Sequence, residues 1–97
     1  MFKPLLAAAA ALVLLSPAVH AQDTIKIGEI NSYKAQPAFL EPYKKGWELA
    51  VEEVNAAGGV LGKKLQVISR DDNATPGDAV RVAEELVSRE GVVLITG

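Results

Sequence analysis

Asn55-Ala56-Ala57-Gly58-Gly59-Val60-Leu61-Gly62-Lys63-Lys64-Leu65-Gln66-Val67 changes its period midway. Before it, apolar residues recur at helical spacing. After it, Leu65 and Val67 alternate with Gln66 and Ile68, which predicts a strand over Lys64–Arg70. Between the two, Gly58-Gly59 stops a helix, because glycine takes the left-handed conformation without a Cβ penalty. Val60–Lys63 is a short turn. A helix that ends on paired glycines and turns straight into a strand is the second half of a strand–helix–strand unit.

Working backwards, Pro42–Ala57 reads as the helix, with Pro42 in the first turn, where its missing N–H costs nothing. Tyr43, Trp47, Ala50, Val51 and Val54 form its apolar stripe. Trp47 should anchor it to a sheet, a burial worth about 1.5–3 kcal/mol. Lys44, Glu48 and Glu52 run along the other side, with Lys44–Glu48 as a favourable i,i+4 pair. Asn31–Glu41, with Asn, Ser, Gln and Pro37, reads as loop. Thr24–Ile30 reads as a β-branched, alternating strand.

Working forwards, Asp71–Ala74 is polar loop. Thr75 looks like an N-cap, with Pro76 at N1 and Asp78 at N3, close to a capping box. Val80, Ala83 and Val87, with Ala79 and Leu86 beside them, make the apolar face of a helix running to about Glu90, where Gly91 ends it. Val92–Ile95 is a continuous apolar run, as in a parallel strand covered on both faces. The fold class is therefore α/β: β-α-β-α-β, the start of a doubly wound parallel sheet with right-handed crossovers. The 97 residues end where the third strand ends. That strand has no following helix, so we expect the start of a longer protein.

Met1–Ala21 reads differently from the rest. Lys3, the apolar run Leu5–Leu15, the helix-breaking Pro17 and Val19-His20-Ala21 predict a secretory signal peptide cleaved after Ala21, followed by a domain over 22–97. The run is too short to cross a hydrocarbon core about 30 Å thick. The only histidine leaves with this leader, and the chain has no cysteine. Disulfides, thiolate metal sites and Ser-His or Cys-His nucleophiles are thereby excluded from the exported segment. A formal net charge of −2 gives no footprint for nucleic acid.

Several chemical motifs fail. Gly28-Glu29-Ile30-Asn31-Ser32-Tyr33 lacks the second and third glycines of a dinucleotide fingerprint, and there is no Walker-type loop. Asp71, Asp72, Asn73 and Asp78 suggest a calcium loop, but Val82 occupies the position of the bidentate Glu. Glu52-Glu53 and Glu84-Glu85 read as solvated helix faces. Asn73-Ala74-Thr75 matches a glycosylation sequon, a pattern short enough to occur by chance. No cofactor and no metal is expected.

Open α/β sheets bind ligands beyond the carboxyl ends of their strands, where strand order reverses. With the first strand central, that point lies between Asn31-Ser32-Tyr33 and Thr96-Gly97. Tyr33 and Phe39 lie near it, outside any apolar stripe. Each either plugs the top of the core or covers a ligand, since aromatic walls are common in small-molecule sites. Lys34 either pairs with an anionic ligand or stands solvated. Ser32, Tyr33 and Phe39 are the candidate ligand-binding residues.

Ile25-Lys26-Ile27-Gly28 after a signal peptide, the run Gly46-Trp47-Glu48-Leu49-Ala50-Val51-Glu52-Glu53-Val54-Asn55 through Leu65, Asp71-Asp72, and Pro76 through Val87 resemble the Leu/Ile/Val-binding protein family. These are the branched-chain amino acid ABC transporter substrate-binding proteins with the type I periplasmic fold, and the likeness covers residues 24–97. It implies two α/β lobes closing on a ligand, of which the first part of lobe one is present. It also implies a periplasmic location, a small-molecule ligand such as an amino acid or small carboxylate, and delivery to an inner-membrane ABC permease. The family's main contacts from this lobe follow the third strand, beyond Gly97. One earlier contact is an aromatic seven residues before the helix glycine matched by Gly46, here Phe39. The loop Asn31–Ala38 departs from the family's small, Gly-Pro-containing version and is one residue shorter. Members also carry amides, aromatic acids and other small organic acids. The alternatives are a ligand-sensing protein of the same fold and an exported α/β enzyme.

Overall fold

A computed structural model describes residues 24–97; the leader and its cleavage point lie outside the described residues. The order is β1 (Thr24–Asn31), α1 (Pro37–Ala56), β2 (Lys64–Asp71), α2 (Pro76–Ser88) and β3 (Leu94–Thr96). The strands form one sheet in the order β2-β1-β3. Both pairings are parallel, from Thr24↔Lys64 to Asn31↔Asp71 on one side and from Ile27↔Leu94 to Glu29↔Thr96 on the other. This is the α/β, doubly wound start expected, with β1 central. No described helix is long and apolar enough to cross a membrane.

The first helix begins at Pro37, five residues before Pro42, so Pro37 and not Pro42 takes the first turn. The amide of Leu40 opens the helical ladder by donating to Gln36 at 3.0 Å. Leu40, buried, extends the stripe of Tyr43, Trp47 and Val54 by a turn. Pro42 lies inside the helix, where it removes the bond its N–H would have made to Ala38. At the other end Gly59 donates to Val54 and Gly58 to Asn55, the paired bonds of a Schellman motif. Gly59, at φ +82°, is held to glycine: a Cβ would lie 2.0 Å from the Lys63 carbonyl oxygen.

The second helix differs from its sequence reading in phase. Val82 and Leu86 are its buried residues, while Val80 and Val87 are exposed. Both sets recur at helical spacing. Gly28 decides between them, because a Cβ there would come 3.0 Å from the Leu86 side chain. Its missing side chain is the space Leu86 fills. Thr75 occupies the cap position but makes no side-chain cap bond; its hydroxyl donates to the Asn73 carbonyl, so no capping box forms. The helix ends at Ser88, and the third strand begins at Leu94 rather than Val92. Among the described residues that strand is exposed, as expected of a strand with no following helix to cover it. Lys44 makes no ion pair with Glu48; its ammonium lies 5.5 Å from the centroid of the Tyr33 ring. The observed helix pairs join Arg81 to Asp78 and Glu85.

Candidate ligand-binding rim

Strand order reverses at β1, which lies between β2 and β3, and open α/β sheets bind ligands beyond the strand ends at such a point. On the β3 side, Gly97 lies against β1: a Cβ on it would stand 2.1 Å from the Ile30 carbonyl oxygen. Only a residue without a side chain lets the backbone come this close. On the β1 side the chain leaves at Asn31 and turns through residues 33–35 into α1.

Ser32 and Asp72 meet across the ends of β1 and β2, the serine hydroxyl donating to Asp72 Oδ1 at 2.5 Å. The Lys34 amide donates to Asp71 Oδ2 at 2.8 Å, and the Asn73 amide to Asp71 Oδ1 at 2.8 Å. Asp71 thereby ties the β1–α1 loop to the β2–α2 loop. The Asn73 and Lys34 amides, in that order, hold its carboxyl below the usual 3.8. Asp72 also receives the Ala74 amide, and Asp78 receives the Asn73 side-chain amide. These carboxylates are occupied by donors from both loops, and no group of three or more candidate metal ligands occurs among the described residues.

Tyr33 is half-buried. Its hydroxyl donates to Glu29 Oε1 and accepts from Trp47 Nε1 at 3.2 Å. Burial, and then the bond to Glu29, raise its pKa above 10.0, so it stays a protonated donor at neutral pH. Phe39 is not in the loop as expected but is the third residue of α1, and it is 71% exposed. The structure brings Ser32 and Tyr33 to the end of β1, and Phe39 follows in the first turn of the next helix. Sequence reading missed Glu29, which is 1% exposed and lies on the α1 face of β1. A charged residue in register with Ile25 and Ile27 was the available signal. Beneath the rim, the residues lining a cavity of about 280 Å³ between α1 and the sheet include Ile27, Glu29, Trp47, Val51, Val67 and Thr96.

A parallel sheet whose order reverses at its central strand, with a helix in each crossover, is the framework of a doubly wound α/β domain. Residues 24–97 match the family described as periplasmic binding protein. The chain belongs to that family. It is 39% identical over 85 residues to Leu/Ile/Val-binding protein homolog 7 of Brucella suis, an alignment covering 87% of this chain and 21% of that one. Among solved structures, it resembles the branched-chain amino acid transporter substrate-binding protein of Streptococcus pneumoniae, solved with isoleucine. The TM-score is 0.70 at 36% identity, covering 76% of this chain and 22% of the other. It also resembles a solute-binding protein of an ABC transporter from Rhodopseudomonas palustris, solved with 3,4-dihydroxybenzoic acid. That TM-score is 0.66 at 31% identity, covering 76% and 20%. The chain thus spans about a fifth of the length of these relatives. The two solved relatives are binding proteins of transporters.

Proposed function

We propose that the protein carrying this chain is the periplasmic substrate-binding component of an ABC importer for amino acids or related small organic acids, of the branched-chain amino acid type. The observation that carries this reading is the match of residues 24–97 to the periplasmic binding protein family. Relatives solved with isoleucine and with 3,4-dihydroxybenzoic acid support a ligand that joins a carboxylate to an apolar body. The rim suits such a ligand. Phe39 offers an apolar wall, and Ser32 and Tyr33 complete the contact surface at the end of β1. The first turns of α1 and α2 begin at the same end of the sheet, and neither has a side-chain cap on its N–H groups. Free N–H groups at a helix start favour an anionic oxygen.

The protein is exported, its leader removed after Ala21. It binds its ligand without converting it and hands it to an inner-membrane permease. The test is calorimetric titration of the full-length exported protein with L-leucine, L-isoleucine and 3,4-dihydroxybenzoate, with chemical recovery of the ligand. Saturable binding of at least one, recovered unchanged, is expected. A ligand at a hundred times its Kd should add about 2.7 kcal/mol to stability. Failure of all three to bind, or recovery of a converted product, refutes the reading.

A further inference from the structure

We propose that Glu29 is a positioning residue for the ligand-binding rim: its buried carboxylate fixes Tyr33, and through Tyr33 the start of α1, so that Phe39 meets the ligand in one orientation. This rests on the binding function proposed above. Ile25, Ile27 and Glu29 share one face of β1, since strand residues alternate. That face looks onto α1 across a space walled by Ile27, Trp47, Val51, Leu65 and Val67. An apolar side chain at position 29 would continue the pattern. Instead a carboxylate stands there, 1% exposed, and its Oε2 has no hydrogen-bond partner among the described residues. Burying an unpaired polar oxygen costs stability. A residue that breaks its local pattern in this way belongs where the site, rather than the core, sets the requirement.

The carboxylate's other oxygen supplies the compensation. Oε1 accepts from the Tyr33 hydroxyl, and that hydroxyl accepts from Trp47 Nε1 at 3.2 Å. One chain of hydrogen bonds therefore links the end of β1, the loop and the middle of α1. The Lys44 ammonium covers the Tyr33 ring from the helix side. Ser32 and Lys34 tie the same loop to Asp72 and Asp71 on the β2 side. Gln36, the residue before the helix, makes no side-chain cap bond that would set the helix entry locally. Tyr33 sets it from a distance, and Phe39 stands three residues beyond Gln36.

Glu29→Leu, Glu29→Gln, Tyr33→Phe and Phe39→Ala variants of the full-length exported protein test this. The probe is whichever of L-leucine, L-isoleucine and 3,4-dihydroxybenzoate binds the unmodified protein most tightly. Glu29→Leu should raise Kd about fivefold, the size of coupling found between residues in contact. Its Tm should stay unchanged or rise, because the unpaired oxygen is gone. Glu29→Gln keeps an acceptor for Tyr33 and should restore Kd to within about twofold. Tyr33→Phe, which retains the ring, should match Glu29→Leu. In a Phe39→Ala background, Glu29→Leu should add less than about twofold, since the two act through one contact. Without ligand, amide exchange across residues 32–41 should quicken in Glu29→Leu. Unchanged exchange, equal losses for the Leu and Gln variants, or an undiminished effect in the Phe39→Ala background would each overturn the proposal. If no probe binds the unmodified protein, the binding reading fails, and the exchange comparison alone decides the Glu29–Tyr33 link.

Discussion

The side-chain amide of Asn55 brackets the backbone of Leu65: Nδ2 donates to the Leu65 carbonyl at 2.9 Å, and Oδ1 accepts the Leu65 amide at 2.7 Å. Asn55 is in the last turn of α1, and Leu65 is the second residue of β2. The pair satisfies both polar groups of one edge-strand residue and fixes where the helix hands over to the strand. The Lys64 ammonium adds a bond to the Asn55 carbonyl at 2.6 Å. Replacing Asn55 with Leu leaves both Leu65 groups unpaired and should cost about 1–3 kcal/mol. Asn55→Asp keeps the acceptor and loses the donor, so it should fall between. Urea midpoints of the full-length protein check the order, and an Asn55→Leu midpoint equal to wild type would contradict it.

Two left-handed turns hold non-glycine residues. Asn73 and Ala74 both have φ of 54°, and the Thr75 amide closes their turn on the Asp72 carbonyl at 3.0 Å. Leu61, at φ 53°, shares a turn with Gly62, closed by paired bonds between Val60 and Lys63. Asparagine tolerates this region; alanine and leucine pay for it with a Cβ clash of about 1–2 kcal/mol. Ala74→Gly and Leu61→Asn should therefore each stabilise, by roughly 0.5–1 kcal/mol after the extra unfolded-state freedom of glycine is counted in the first. Thermal melts decide it; lower Tm values for both would show that the turns are not strained.

Most of this architecture was legible in the sequence, and the failures have physical causes. The first two strands came out within one residue, because alternation and the Gly-Gly stop are local signals. The start of α1 did not, because Pro37 and Pro42 carry the same local preference and only the burial of Leu40 ranks them. The phase of α2 was missed because Val80, Ala83 and Val87 are as regular as Ala79, Val82 and Leu86. The choice between them lies at Gly28, far away in sequence. At the rim, topology and the family likeness made Ser32, Tyr33 and Phe39 candidates, and the structure places the first two at the end of β1 and Phe39 in α1. Asp71, Asp72 and Glu29 could not be assigned their work there, because it consists of contacts with another loop or element.

Gly28 makes that packing testable. A Cβ at this position meets the end of the Leu86 side chain at 3.0 Å and Ile95 and Val92 at 3.4 Å. Leu86 is fully buried. A single methyl meets a side-chain end that can turn, so Gly28→Ala should change stability by less than about 1.5 kcal/mol. Gly28→Val adds bulk the site cannot absorb and should destabilise by about 1–3 kcal/mol. Chemical denaturation of the two variants checks the gap, and equal stability would mean that α2 is free to move outward.

Asp71 should make the loop junction sensitive to acid. Its folded pKa is depressed, mainly by the Asn73 amide and then by the Lys34 amide. A carboxyl depressed on folding contributes its full stabilisation above the unfolded value, 3.8 here. It loses that contribution as pH falls through the lower, folded value. Wild type should therefore shed an increment of stability below about pH 4 that Asp71→Asn does not shed. Denaturation midpoints of both proteins between pH 7 and pH 3 test the sign, and parallel curves would remove Asp71 as the tie between the loops.

Phe39 separates binding from folding. A ring 71% exposed contributes little burial to the fold, so Phe39→Ala should leave the Tm of the ligand-free protein nearly unchanged. If the ring forms a wall of the ligand site, its loss should weaken binding by on the order of 1 kcal/mol, or about fivefold in Kd. The side chain sits in the first turn of a helix whose entry is fixed by Tyr33 and by the loop ties to Asp71 and Asp72. Its position is thus set by polar contacts and its chemistry is free for a partner. Calorimetry on Phe39→Ala and Phe39→Leu distinguishes ring from bulk: a leucine that restores affinity assigns the contact to apolar area, and one that does not assigns it to the aromatic face. An unchanged Kd in both variants would move the ligand's apolar wall to another residue.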